Sequence, residues 1–108
     1  MEKLCELKDI SEGTMKGFSV QEKQILIANV SGNFYAVDAI CTHRGGFLPD
    51  GKLSNNLVIC PVHGTQYDVT NGKVFKNVST LMKFLTGEAT DLNRYDVIIE
   101  DDSIFIEL

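Results

Sequence analysis

Short apolar runs with period-two alternation, punctuated by turn residues, dominate the chain and predict an antiparallel β protein. Lys16, Phe18 and Val20 mark an early strand. Gln24–Val30 (QILIANV) and Phe34–Ile40 (FYAVDAI) flank Ser31-Gly32-Asn33, a trio suited to a hairpin. Leu57–Ile59 reads as a brief strand running into Cys60. Tyr67–Val69 and Lys73–Phe75 about Asn71-Gly72 form a second hairpin candidate. Tyr95–Ile99 and Ser103–Ile106 across Glu100-Asp101-Asp102 form a third. Many short strands with this punctuation imply an antiparallel sandwich or barrel, an all-β fold.

Two stretches break the pattern. In residues 77–90, Val78, Leu81, Met82 and Leu85 recur at helical spacing and Gly87 is placed to end the run. A short helix near 79–86 is expected, with its apolar stripe packed on the sheet. Between Ile40 and Val74 the alternation weakens, and Gly45, Gly46, Pro49, Gly51, Pro61 and Gly64 accumulate. Loops carry function disproportionately, so chemistry is sought there.

Length and composition narrow the class. At 108 residues, the chain 1–108 is expected to form one domain. Its 44% hydrophobic and 23% charged residues are ordinary for a globular protein. The net charge of −5 argues against nucleic acid and anionic membrane as partners. That charge is uneven. Residues 91–108 carry six acids against Arg94 alone, whereas 41–73 hold Arg44, Lys52 and Lys73 against Asp50 and Asp68. The N-terminus is too polar for a signal peptide, and no apolar run approaches ~18 residues. A soluble, cytoplasmic protein without a membrane anchor is therefore expected. Three cysteines, an odd number, point to reduced thiols or metal ligands. Cys5, alone in the expected first strand, reads as an inert buried thiol.

Two motifs hold the candidate chemistry: Cys41-Thr42-His43 and Cys60-Pro61-Val62-His63. They contain both histidines of the chain and two of its three cysteines, each in a loop after an apolar strand. Any one of these residues alone would be read as packing. Two Cys–His pairs are hard to explain that way. Two thiolates and two imidazoles suit tetrahedral zinc or one iron–sulfur arrangement. Zinc fingers usually put both cysteines in one knuckle and both histidines on a helix. Here each loop offers one of each, which suits a binuclear centre.

The run CTHRGGFLPDGKL followed by VICPVHGTQYDVTNGKV closely resembles the Rieske pattern, C-x-H, sixteen residues, then C-x-x-H. Leu48, Asp50-Gly51, Leu53, Tyr67-Asp68 and Asn71-Gly72 extend the match, which is most specific over 40–74. The resemblance implies a Rieske-type sandwich with an inserted cluster-binding subdomain over about 40–74. It implies one [2Fe–2S] cluster, with Cys41 and Cys60 on the inner iron and His43 and His63 on the outer iron. Family members of high potential place a tyrosine at Tyr67, bonding a ligand sulfur, and a serine at Thr65, bonding a bridging sulfide.

Departures from the pattern narrow the role. Cytochrome-complex Rieske proteins carry an extra cysteine in each loop, joined as a disulfide; Gly46 and Val62 stand there instead. Residues 77–90 also differ from the proline-rich segment common in the family. The chain looks like a soluble ferredoxin passing single electrons from a reductase to a terminal oxygenase, an electron carrier and not an enzyme. No small-molecule substrate is expected. The small Rieske subunit of a nitrite-reductase-like enzyme, or a structural zinc module, are the alternatives. Phe47, Leu48, Pro49 and Val62 are expected to form an apolar tip around the outer histidines.

Overall fold

The computed structural model describes all residues, 1–108. Four strands come first: β1 (Glu2–Glu6), β2 (Met15–Val20), β3 (Lys23–Val30) and β4 (Asn33–Asp38). Then follow β5 (Lys52–Ser54), β6 (Leu57–Ile59), β7 (Gln66–Asp68) and β8 (Val74–Lys76), a helix α1 (Thr80–Thr86), and β9 (Arg94–Glu100) with β10 (Ser103–Glu107). They form two antiparallel sheets. One has six strands in the order β1-β10-β9-β4-β3-β2, and the other has four in the order β5-β6-β7-β8.

The two-residue turns of the large sheet follow from its twist, which favours left-handed backbone at both turn positions. Ser31-Gly32 joins β3 to β4 with φ of 53° and 88°, and Asn33, expected in the turn, pairs with Val30 as strand. Gln21-Glu22 and Asp101-Asp102 take the same left-handed form without any glycine.

β3 carries the architecture. Its residues Ile25–Asn29 are all buried, because each face has its own core. Ile25 and Ile27 meet Ile10, Ala36, Ile104 and Ile106 on one side. Leu26 and Ala28 meet Val37, Val58, Tyr67, Cys41 and Cys60 on the other. The second core binds the small sheet to the large one, and the two cysteines are part of it. Leu48 also lies there, fully buried. That corrects its expected place at an exposed tip: Phe47 and Val62 are exposed, whereas Leu48 anchors the loop beneath them. Cys5 is half-buried against the first core.

The helix forms where the sequence places it, capped by Ser79, whose side chain accepts from the Met82 N–H, and ended by Gly87 at φ 83°. Its expected packing on the sheet does not occur. Leu81, Phe84 and Leu85 are 68%, 86% and 65% exposed, and only Val78, ahead of the helix, reaches the core. The reason is polar. The Asn77 amide brackets Ala89 with two 3.0 Å bonds, and the Thr42 hydroxyl brackets Thr90 at 2.7 and 2.8 Å. These clamps close the segment at its base, so a helix of under two turns stands off the sheet.

Candidate metal centre

Two loops, residues 41–46 and 60–65, repeat one backbone conformation. The Cys41 N–H donates to the Gly46 carbonyl at 2.8 Å and the Gly45 N–H to the Cys41 carbonyl at 3.0 Å. In the second loop the Cys60 N–H donates to Thr65 at 2.8 Å and the Gly64 N–H to Cys60 at 3.1 Å. Gly45 and Gly64 have φ of 72° and 76°, a left-handed turn that a side chain would strain. The sequence shows this only as a glycine four residues after each cysteine. The loops are not equivalent in their imidazoles, since His43 is two residues after its cysteine and His63 three.

Each loop turns backbone N–H groups toward its sulfur. Burial by itself would raise the Cys41 thiol pKa. A hydrogen bond from the Tyr67 hydroxyl and the N–H groups of His43 and Arg44 outweigh it, holding Cys41 below the ordinary thiol range. Burial raises Cys60, and its closeness to Cys41 adds to that, against the N–H groups of Val62 and His63. Two sulfurs side by side disfavour a second negative charge unless a cation joins them. Tyr67 is buried with its hydroxyl 3.1 Å from Cys41 Sγ; burial, then the bond to Cys41, pushes its pKa up to about 12. The Thr42 N–H donates to that hydroxyl at 3.2 Å.

The imidazoles lie outside the thiols. Cys41 and Cys60 are 2% and 3% exposed, His43 is half-buried and His63 exposed. The two rings stand edge to face, 5.0 Å between centroids. Burial, then the His63 and Arg44 charges, lower the His43 pKa, which favours the neutral ring a metal needs. Two buried atoms in this region have no hydrogen-bond partner: His43 Nδ1 and Thr65 Oγ1. Orphaned buried polar atoms are uncommon and call for a ligand or ion. A buried imidazole lone pair suits a metal, and a buried hydroxyl suits an inorganic sulfide. The donors do not gather three or more about one point, as a single ion would require. Paired thiols inside and paired imidazoles outside instead fit a binuclear iron–sulfur cluster.

Thr42 and Thr86 also belong to this region, though the sequence assigned neither a role; Gly46, noted there only as standing where a bridging cysteine would be, has a steric part. A Cβ on Gly46 would lie 2.8 Å from Cys60 Sγ and 2.7 Å from Val62 Cγ2. Gly46→Ala is therefore expected to push the second loop aside and at least halve the iron retained per chain, as measured by iron analysis of the purified protein. The same distances set the two loops edge to edge at Gly46 and Val62.

Comparison with known proteins agrees with this geometry. The family model for the Rieske [2Fe-2S] domain matches residues 1–84. The ferredoxin component of the naphthalene 1,2-dioxygenase/salicylate 5-hydroxylase systems of a Ralstonia species is 32% identical over 94% of this chain and 89% of its own length. The ferredoxin component of biphenyl 2,3-dioxygenase from Rhodococcus jostii is 29% identical over 98% and 91%. A chain in the complex of reduced oxygenase and oxidised ferredoxin of carbazole 1,9a-dioxygenase has the same fold, with a TM-score of 0.83 and 24% identity over 97% of this chain and 99% of that one. The zinc reading falls with these matches. With its cofactor one [2Fe–2S] cluster, the chain belongs to the Rieske [2Fe–2S] domain family.

Proposed function

We propose that this protein is a one-electron carrier in which Cys41 and Cys60 bind the inner iron of the cluster, and His43 and His63 the outer iron. The observation that supports this most is the pair of matching loops, which bury both thiols and leave the imidazoles toward the surface. Bound there, the cluster takes up and releases one electron at a time. The chain's own part is to exclude water from the sulfurs, aim N–H groups at them, and bring the imidazoles to the surface. Residues 1–108 act as one domain, with the loops of the small sheet as its redox end.

A reductase as donor and a terminal oxygenase as acceptor follow from the naphthalene and biphenyl relatives, both ferredoxin components of dioxygenase systems. No helix of the chain is long and apolar enough to cross a membrane, and its three cysteines are unpaired. Both features support the cytoplasm as the place of work.

Purification from iron-replete cells tests the reading. Two irons and two labile sulfides per chain are expected, with a visible spectrum bleached by an oxygenase-system reductase and restored by a terminal oxygenase. Stoichiometric zinc, or a chain found only in complex with a nitrite-reductase-like large subunit, would overturn it.

Phe47 and Val62, exposed apolar side chains in and beside the two loops, and those of α1 are the proposed contact with partners. Val62→Asp and Phe84→Asp are expected to slow electron transfer several-fold with the spectrum unchanged. Stopped-flow at rising salt should show a weak dependence, since residues 41–73 are nearly balanced in charge and the acidic excess lies elsewhere.

Tyr67 sets the potential. Rieske potentials span about −150 to +300 mV, and without a disulfide between the loops this protein belongs in the lower half. Tyr67→Phe removes a donor to Cys41 Sγ, so the reduced state loses more than the oxidised state. Protein-film voltammetry should read a lower potential, with Thr42 keeping the loop closed through its bonds to Thr90.

A further inference from the structure

The segment that departs from the family's usual sequence makes one hydrogen bond to a histidine of the centre. Thr86, the last residue of α1, has its Oγ1 2.7 Å from His43 Nε2. The direction of that bond is fixed by a second one. The Thr86 hydroxyl donates to the Met82 carbonyl at 2.9 Å, and a carbonyl only accepts. A hydroxyl has one hydrogen, so toward His43 its oxygen must accept. The ring nitrogen that donates is therefore Nε2, and the proton of the neutral ring lies there.

The opposite tautomer is disfavoured at both ends of the ring. It would place an N–H at Nδ1, which is buried without a partner, and set two lone pairs against each other at Nε2. On the usual cost of orphaning a buried donor, the preference is between about five-fold and a hundred-fold. The tautomer that Thr86 selects is the one that leaves the Nδ1 lone pair free.

Resting on the reading that His43 is a ligand, we propose that Thr86 is a positioning residue for this centre. Its hydroxyl holds His43 in the Nε2–H tautomer, presents Nδ1 to the outer iron, and couples α1 to the cluster. Ligating histidines generally have their second nitrogen held by an acceptor, which fixes the ring and strengthens its donation to the metal. Here the acceptor comes from a helix that has no buried residue, Thr86 itself being half-buried.

The test uses the holoprotein with ¹⁵N-labelled histidine, comparing Thr86→Val, which keeps the shape and loses the hydroxyl, with Thr86→Ser, which keeps the hydroxyl. In the reduced wild-type protein, electron–nuclear double resonance should show two coordinating histidine nitrogens. Thr86→Val should alter the coupling of one of them, raise the reduction potential, and speed loss of iron to a chelator by about five-fold or more. Thr86→Ser should restore all three. Couplings and potential in Thr86→Val equal to wild type would overturn the proposal. So would a Thr86→Ser variant that resembles Thr86→Val. Wild-type protein without two coordinating histidine nitrogens would instead overturn the reading of the ligands on which the proposal rests.

Discussion

Cys60→Ser, and equally Cys41→Ser, is expected to leave a colourless protein with no bound cluster: iron and labile sulfide both fall from about two per chain to near zero. The ligand in such a centre is the thiolate, and a serine hydroxyl does not deprotonate in the range where the N–H groups around these positions stabilise a thiolate. The loss should be chemical and not structural. Serine is smaller than cysteine but similar in shape, and the loop bonds of residues 60–65 are made by backbone alone. Far-ultraviolet circular dichroism should therefore stay close to that of the apoprotein while the visible bands vanish. Retention of a visible spectrum in both variants would show that other residues hold the metal.

The largest expected effect on the fold comes from Gly51→Ala. A Cβ there would lie 1.9 Å from the backbone oxygen of Ile59, and 3.2 Å from that of Leu48. Neither obstacle is the end of a flexible side chain. Ile59 is held on both sides, paired with Lys52 in β5 and with Gln66 in β7. The Gly51 N–H also closes the 48–50 turn on the Leu48 carbonyl at 2.9 Å. Overpacking usually costs 1–3 kcal/mol, and a rigid backbone obstacle places this substitution at about 3 kcal/mol or above. Against the sensitivity of a domain of this size, the melting midpoint should fall by about 12–24 °C. Gly13→Ala is the control. Its φ of 78° adds left-handed backbone strain that Gly51, at φ −85°, lacks, but nothing lies within 4 Å of the added methyl, so roughly 1 kcal/mol is expected. A Gly51→Ala protein as stable as Gly13→Ala would show that β6 can shift freely.

Much of this was legible in the residues, for identifiable reasons. Cys41, His43, Cys60 and His63 stood out because two chemically unusual pairs occur in a chain with no other histidine. The hairpins were legible because short turns require particular residues, as at Ser31-Gly32. Three features were not. The double burial of β3 was hidden because a continuous apolar run does not say how many faces it has. The strand β5, Lys52–Ser54, was missed because Leu53 is its only apolar residue, whereas β6 of equal length is apolar throughout. The exposure of α1 contradicts its apolar spacing, because its position is decided by the polar clamps of Asn77 and Thr42, residues distant from the stripe itself. Thr86 was invisible for a similar reason: its partner is forty-three residues away, and an isolated threonine carries no pattern.

The matching of the two loops bears on how the cofactor is installed. Both are closed by backbone bonds spanning four or five residues, so the bonds that close each loop lie within its own sequence. Fixing the backbone costs about 1–2 kcal/mol per residue, and these local bonds offset part of it within each loop. A metallocentre built this way asks little further ordering of the polypeptide at the moment iron and sulfide arrive. Metal-free protein is then expected to keep the far-ultraviolet circular dichroism of the loaded protein, in contrast with small zinc domains that fold only around their metal.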